Sequence, residues 1–402
     1  MLKTLFERKF LVDERDPVGT IQAGGLQLSF FAPDPLYILQ LLSILGITAL
    51  VGNFLSLIVC HGILRKSQQT SFALTFGILL PIILYYPFFL ADLLDIRSSP
   101  LRMTVLSLPL TCTLRTLHAF FTEQQSTSWS RYRREYGFVL HPLRHPKTQA
   151  FVTATVHSFL AALRSYGKWF FLLGISYSLL LPYSFVPWNT PRPLHETFLS
   201  FHPSHLANNF VHAVLTSWML DLGVNTGVNG VMQCLSGIQF ENVVDSPMFG
   251  SQSPSDFWGR RWNRLISGDL KNGIYKPVRQ YTGSKHVATL STFVVSGLMH
   301  EYVWYYLFYV NKHQDPADCY QPPFGKQILF FGWNGILLLF EYFVGKETWE
   351  RVAKDLFPAC TTVLVILMAL PVGHLFTGDL VAGGYFRQLS GLLAIVRIDY
   401  KS

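Results

Sequence analysis

Eight separate runs of about twenty mostly apolar residues constrain this chain more than any other feature, because each is long enough to cross a bilayer as a helix. They are Leu36–Cys60, Thr70–Leu94, Met103–Phe121, Trp169–Pro187, Leu206 to about Met232, His286–Val310, Gln327–Val344 and Ala359–Phe376. In hydrocarbon a backbone must satisfy its own polar groups, which leaves helices for runs of this length. The expected fold is therefore all-α: a multi-pass integral membrane protein of about eight transmembrane helices. A borderline ninth lies at Leu380–Val396, interrupted by Gly383-Gly384 and Arg387. The shorter Phe151–Leu163 is expected at the interface or as half of a hairpin. Composition agrees: 14% of residues are charged, against about 25% in soluble domains.

The runs divide the chain into a non-membrane segment, 1–35, and one polytopic unit, 36–402. Met1–Asp16 alternates charged and apolar residues without the continuous core of a cleavable signal peptide, so the first span is expected to direct insertion. Loop charge gives orientation. Arg131, Arg133, Arg134, Arg144 and Lys147 cluster in 122–150, and Arg260, Arg261, Arg264, Lys271, Lys276, Arg279 and Lys285 in 241–285. Alternation of sides puts both loops, with 61–69 and 345–358, on one face. By the positive-inside rule that face is cytosolic, with both termini lumenal for eight spans. The net charge of +8 is thus assigned to membrane orientation, and nucleic acid is not an expected partner. Five cysteines without a CxxC pair indicate neither a disulfide framework nor a thiolate metal site.

Within this apolar frame, His300 is the costliest residue. Fourteen residues past His286, it lies about 21 Å along its helix, inside a hydrocarbon layer roughly 30 Å thick. Ionisable groups at such depth usually face a bundle interior or wet cavity and are functional by default, the alternative for His300 being a hydrogen-bonded packing histidine. Burial favours the neutral imidazole, the form that can take a proton. One turn back stand Ser296 and Gly297, small enough for close helix approach or for substrate. Glu301 points about 100° away from His300 around the helix, which suits bonding to a neighbouring helix. Residues 300–304 read His-Glu-Tyr-Val-Trp, lacking the second histidine of a zinc helix.

Upstream, Phe257–Asn263 carries Trp258, Arg260, Arg261, Trp262 and Asn263. Tryptophans with arginines suit an interfacial anchor as well as a binding site. The Asn263 carboxamide can donate to or accept from a substrate oxygen. Ser217, Asp221, Asn225 and Asn229 recur every fourth residue on the fifth span, a polar stripe that either lines a wet chamber or bonds helices together.

These residues resemble a known family. Phe257-Trp258-Gly259-Arg260-Arg261-Trp262-Asn263 is similar to the FYxDWWN-type block of membrane-bound O-acyltransferases, in the FWGRRWN form of the wax synthase branch. Ser296-Gly297-Leu298-Met299-His300-Glu301 resembles that branch's SGxxHE helix, 37 residues separate Asn263 from His300, and Asn272–Pro277 resembles the connecting segment. The likeness covers about residues 240–310. Arg260 stands where the sterol and diacylglycerol acyltransferase versions carry an acid.

The resemblance implies acyl transfer from acyl-coenzyme A to a long-chain alcohol, giving a wax ester, in the endoplasmic reticulum membrane. His300 would be the general base and Asn263 the group positioning the reacting oxygens. Trp258, Arg260, Arg261, Trp262, Ser296, Gly297, Asp221 and Asn225 would bind acyl-coenzyme A or line the chamber. The expected partners are acyl-coenzyme A as co-substrate, the alcohol and the bilayer, with no bound cofactor and no metal. Another lipophilic alcohol (sterol, terpenoid or diacylglycerol) is the alternative within this chemistry. From another class, His141, His145, His202 and His205 would have to converge for a di-iron membrane lipid oxidase.

Overall fold

The computed structural model describes residues 11–23, 25–122, 128–136, 140–345, 348, 349, 351 and 357–400. The first ten residues, on which the insertion expectation partly rests, lie outside them, as do Lys346 and Lys354 of the 345–358 loop. The described chain is mostly helical. Asp34 starts α1 (Pro35–Ile63) by accepting from the amides of Leu36 and Tyr37, with Pro35 in the first turn. There follow α2 (Gln68–Leu94), α3 (Ser99–Thr122), α4 (Trp129–Tyr136), α5 (Val156–Leu180) and α6, which runs over 203–236 with wide π turns at Asp221–Val228. Two short helices, α7 (Arg264–Leu270) and α8 (Lys276–Thr282), lead into α9 (Lys285–Leu307), then α10 (Lys326–Val344) and α11 (Pro358–Ala382).

Of these, α1, α2, α10 and α11 are long and apolar enough to cross a membrane by length and composition. The expected spans at 103–121, 169–187, 206–232 and 286–310 fall on α3, α5, α6 and α9. These helices carry polar side chains such as Arg102, Arg115, Lys168, Asp221, His300 and Glu301.

Three expectations differ from the structure. Phe151–Leu163 is no separate element. A reciprocal cap between Thr155 and Ser158 starts α5, which runs unbroken to Leu180, and Pro182 follows in a 3-10 turn. Leu380–Val396 is no ninth helix. The chain breaks at Gly383, where the Phe308 ring leaves no room for a side chain, and at Gly384, whose φ is +71°. A five-residue helix, α12 (Tyr385–Leu389), and a strand follow. The chain is also not purely α. The strands β1 (Gly19–Ala23), β2 (Leu26–Phe31) and β3 (Ile395–Tyr400) form an antiparallel sheet in that order. Val12, Phe31 and Ile395 belong to the same core as Tyr37, Tyr177, Tyr306 and Phe386, so residues 11–35 pack onto the helical body.

The two basic loops meet at one end of the bundle, where Glu241 donates its amide to His141 O at 2.9 Å, and their flanks pair beside them: Leu143 donates to Gln239 O, Gln239 to Val152 O and Ala154 to Gly237 O, each at 2.8 Å. Deeper in the bundle α9 and α10 cross closely: a Cβ on Gly297 would lie 2.8 Å from Ile328 Cα, and one on Gly335 3.1 Å from Phe293 Cβ. Small residues at such crossings let backbones approach. Glu301 fixes the register, its Oε1 accepting from Gly325 N at 2.9 Å, Gln327 N at 2.7 Å and Ile328 N at 3.2 Å. It thus caps α10, the structural partnership its direction on α9 implies. Glu301→Ala orphans those amides and is expected to cost about 2–4 kcal/mol, read as a lower melting temperature in detergent. Unchanged melting would refute the capping role.

Candidate active site

A cavity of about 1030 Å³ opens beside the crossing of α9 and α10 and runs to the basic loops. Its inner wall carries Ser296, His300, Phe293, Phe331 and Leu338, and its outer part Arg144, Arg260, Arg264, Lys271 and Arg279 together with two acids, Glu135 at 2.7 Å from Arg144 and Glu241 at 3.6 Å from Arg264, so that cations outnumber carboxylates there. One end is apolar and aromatic and the other cationic.

His300 Nδ1 lies 2.7 Å from the carbonyl oxygen of Ser296. A carbonyl only accepts, so the proton sits on Nδ1 and Nε2 keeps its lone pair. Aromatic rings hold the imidazole: its centroid is 4.3 Å from that of Phe331, 5.6 Å from Phe376 and 6.0 Å from Trp304. The result is a half-buried base of fixed tautomer in the cavity wall.

Asn263 occupies the left-handed region, with φ 40° and ψ 61°. Asparagine is among the few non-glycine residues that tolerate it. There it caps α7, Oδ1 accepting from Ile266 N at 3.3 Å, which leaves Nδ2 as a donor on a residue lining the cavity.

The aromatic block is braced from α10. Trp258 Nε1 donates to Asn334 Oδ1 at 3.1 Å, and Ser255 donates its amide and hydroxyl to the two oxygens of Glu341, each at 2.6 Å. Trp262 stacks on Phe257 at 5.7 Å, with Trp258 packed edge-on against Phe293 and Phe330. Asn334 and Glu341 were not among the expected site residues. Both are polar residues inside an apolar span, the same signal that singled out His300.

Of the expected site residues, His300, Asn263, Trp258, Arg260, Trp262 and Ser296 share this cavity. Four do not line it. Gly297 faces Ile328 at the helix crossing. Arg261 turns away, donating to Asp256 Oδ2 at 2.8 Å and to the carbonyl of Asp245 at 3.2 Å. The Asn225 carboxamide takes the amides of Val243 and Val244 at 2.6 and 3.2 Å and donates to Asp221 Oδ1 at 2.7 Å. The Asp221–Asn229 stripe therefore binds the backbone of the non-helical 240–244 segment rather than a second helix. Arg260, by contrast, has a side chain 76% exposed at the mouth. Arg260→Ala is expected to weaken binding of a polyanionic ligand at this mouth up to about fivefold at low salt, with the difference from the parent shrinking as salt rises. No difference from the parent at any salt would make Arg260 an anchor only.

The four histidines of the oxidase alternative are engaged separately. His141 faces Asp269, His145 Nδ1 accepts from Thr148 N at 3.4 Å, and His202 and His205 pair at 6.2 Å between ring centroids, with His205 also 5.8 Å from His374. Among the described residues no group of three His, Cys, Asp or Glu could hold a metal.

Comparison with known proteins gives one family. Residues 240–321 match the model of the Membrane bound O-acyl transferase family. "Probable long-chain-alcohol O-fatty-acyltransferase 1" of Arabidopsis thaliana is 30% identical over 131 residues, 31% of this chain and 35% of the relative. "Acyl-CoA--sterol O-acyltransferase 1" of the same plant is 30% identical over 148 residues, 35% of this chain and 39% of the relative. "Probable long-chain-alcohol O-fatty-acyltransferase 9", also from Arabidopsis thaliana, is 36% identical over 107 residues, 25% of this chain and 28% of the relative. The matched stretches thus span roughly a third of these relatives' length. The family-model match includes the 257–263 block, the connecting segment and the helix bearing His300, and over that stretch the chain is similar to membrane-bound O-acyltransferases, among them relatives named as long-chain-alcohol O-fatty-acyltransferases.

Proposed function

We propose that this chain transfers an acyl group from acyl-coenzyme A to a long-chain alcohol within the bilayer, producing a wax ester. The observation that carries the reading is the His300 imidazole, tautomer-locked by Ser296 in the wall of a cavity that passes from an aromatic interior to a cationic mouth. An acyl chain and an alkyl alcohol are membrane-soluble and suit the interior. The phosphates of coenzyme A suit Arg260, Arg264 and Lys271.

In the reaction the alcohol oxygen attacks the thioester carbon as His300 Nε2 takes its proton. The carbon–sulfur bond then breaks and the proton passes to the coenzyme A sulfur, leaving ester and free thiol. Asn263 Nδ2 donates to the carbonyl oxygen as negative charge develops there. Trp258, held by Asn334, packs the wall beside the reacting carbons. Neither step requires a metal or a bound cofactor.

The topology proposed for this activity is eight crossings in the endoplasmic reticulum membrane, with the cavity mouth cytosolic. Two observations support it. The strand before α1 pairs with the strand after α12, which an even number of crossings between them allows and an odd number does not. The two arginine-rich loops are joined by a backbone hydrogen bond from Glu241 N to His141 O at 2.9 Å.

Purified protein given a long-chain acyl-coenzyme A should release free thiol only when a long-chain alcohol is added. Equal release without alcohol would make the protein a thioesterase, and no release under either condition would reject the reading.

A further inference from the structure

One buried carboxylate beside the cavity has no part in the chemistry above. Asp269 lies near the end of α7, its side chain 1% exposed. Its Oδ2 is 3.7 Å from Arg115 Nε, and its Oδ1 is 3.9 Å from both His118 Nδ1 and His141 Nε2. Burial pushes the Asp269 carboxyl up to about 6, against the pull of the Arg115 guanidinium. Burial and then the same guanidinium push the His141 imidazole down to about 4. At neutral pH the carboxylate is therefore ionised opposite Arg115, and His141 is neutral.

The elements that meet here matter more than the charges. Arg115 and His118 belong to α3, a helix of spanning length. Asp269 belongs to α7, whose flanks supply Arg264 and Lys271 to the cavity mouth. His141 belongs to the segment that supplies Arg144. Gly268, next to Asp269, faces the same imidazole: a Cβ there would stand 3.4 Å from His141 Nε2, an ordinary van der Waals contact.

We propose that Asp269 is a positioning residue for coenzyme A binding, the carboxylate whose ion pair with Arg115 ties the α7 wall of the cavity mouth to α3, with His141 of the other wall packed against it. It touches neither substrate nor reacting atoms. The proposal rests on the acyl-coenzyme A reading above. Its effect falls on how well Arg144, Arg264 and Lys271 converge on a polyanion, and little on His300.

Removing one partner of a buried ion pair strands the other, whereas removing both is often tolerated. The test therefore compares Asp269→Asn with the double variant Asp269→Asn/Arg115→Met. Coenzyme A affinity is measured by calorimetry on purified protein, alongside kcat and KM. In Asp269→Asn, affinity should fall about tenfold and the KM for acyl-coenzyme A rise equally, with kcat within about threefold of the parent. The double variant should recover melting temperature but not affinity, because the tether is still missing. Should the single variant fail to accumulate, the double variant reads the same constants. Parental affinity and KM in the single variant, or in the double variant where it stands in, overturn the proposal. So does restored affinity in the double variant, or a loss of kcat at unchanged KM. A parent that binds no coenzyme A would instead reject the functional reading on which the proposal rests.

Discussion

Replacing His300 with alanine is expected to lower ester formation by about 10²–10⁴-fold while coenzyme A binding stays intact, since a positioned general base contributes on that scale. The two effects separate because His300 sits at the aromatic end of the cavity and the cationic side chains line the other end. His300→Gln is the sharper comparison. A glutamine approximates the size and polarity of the imidazole but cannot act as its base, so it should be nearly as impaired as alanine. KM for acyl-coenzyme A should move little in either variant, which marks the loss as one of transition-state stabilisation. Turnover within a few-fold of the parent would remove His300 from the mechanism.

Asn263 requires variants that respect its backbone. Its φ of 40° means that alanine would add left-handed strain to the loss of the carboxamide. Glycine accepts the conformation freely, and as a helix cap it costs only a few tenths of a kcal/mol relative to asparagine. Asn263→Asp keeps the capping oxygen for Ile266 N but replaces the Nδ2 donor with a second acceptor. Both variants should therefore fold, and both should lose about 10²–10³-fold in kcat, the scale for removing one donor to a developing oxyanion. Asn263→Asp tests the role more severely, because a carboxylate repels the charge that a carboxamide would stabilise. If Asn263→Asp retained parental kcat, Asn263 would be a cap and nothing more.

Much of this site was legible in sequence because membrane burial makes polar residues expensive. His300 stood out in a greasy helix. The direction of Glu301 around that helix separated it from His300, and it caps α10. What the sequence concealed was partner choice. Asn225 and Asp221 form a polar stripe whether they face a chamber or a backbone, and only the fold reveals that Asn225 holds Val243 and Val244. Arg260 and Arg261 are adjacent and alike in type, yet Arg261 is held by Asp256 at 2.8 Å and by the Asp245 carbonyl, while Arg260, 4.0 Å from the other oxygen of Asp256, stays 76% exposed at the mouth. Gly297 was equally consistent with substrate space and with the helix crossing it serves. The sheet was missed for a different reason. Residues 19–31 alternate only weakly, and β2 gains its second partner from β3, far along the chain, a long-range pairing that local periodicity does not encode.

The acceptor is where the account is most exposed, because relatives named for long-chain alcohols and for a sterol match this chain at similar identity. Purified protein should be given labelled acyl-coenzyme A together with a long-chain primary alcohol, a sterol and a diacylglycerol in one vesicle mixture, with His300→Ala run in parallel. The account predicts that the label appears chiefly in the wax ester and that the variant forms almost none. Label chiefly in steryl ester, in triacylglycerol or in free fatty acid, or equal wax ester from parent and variant, would contradict it.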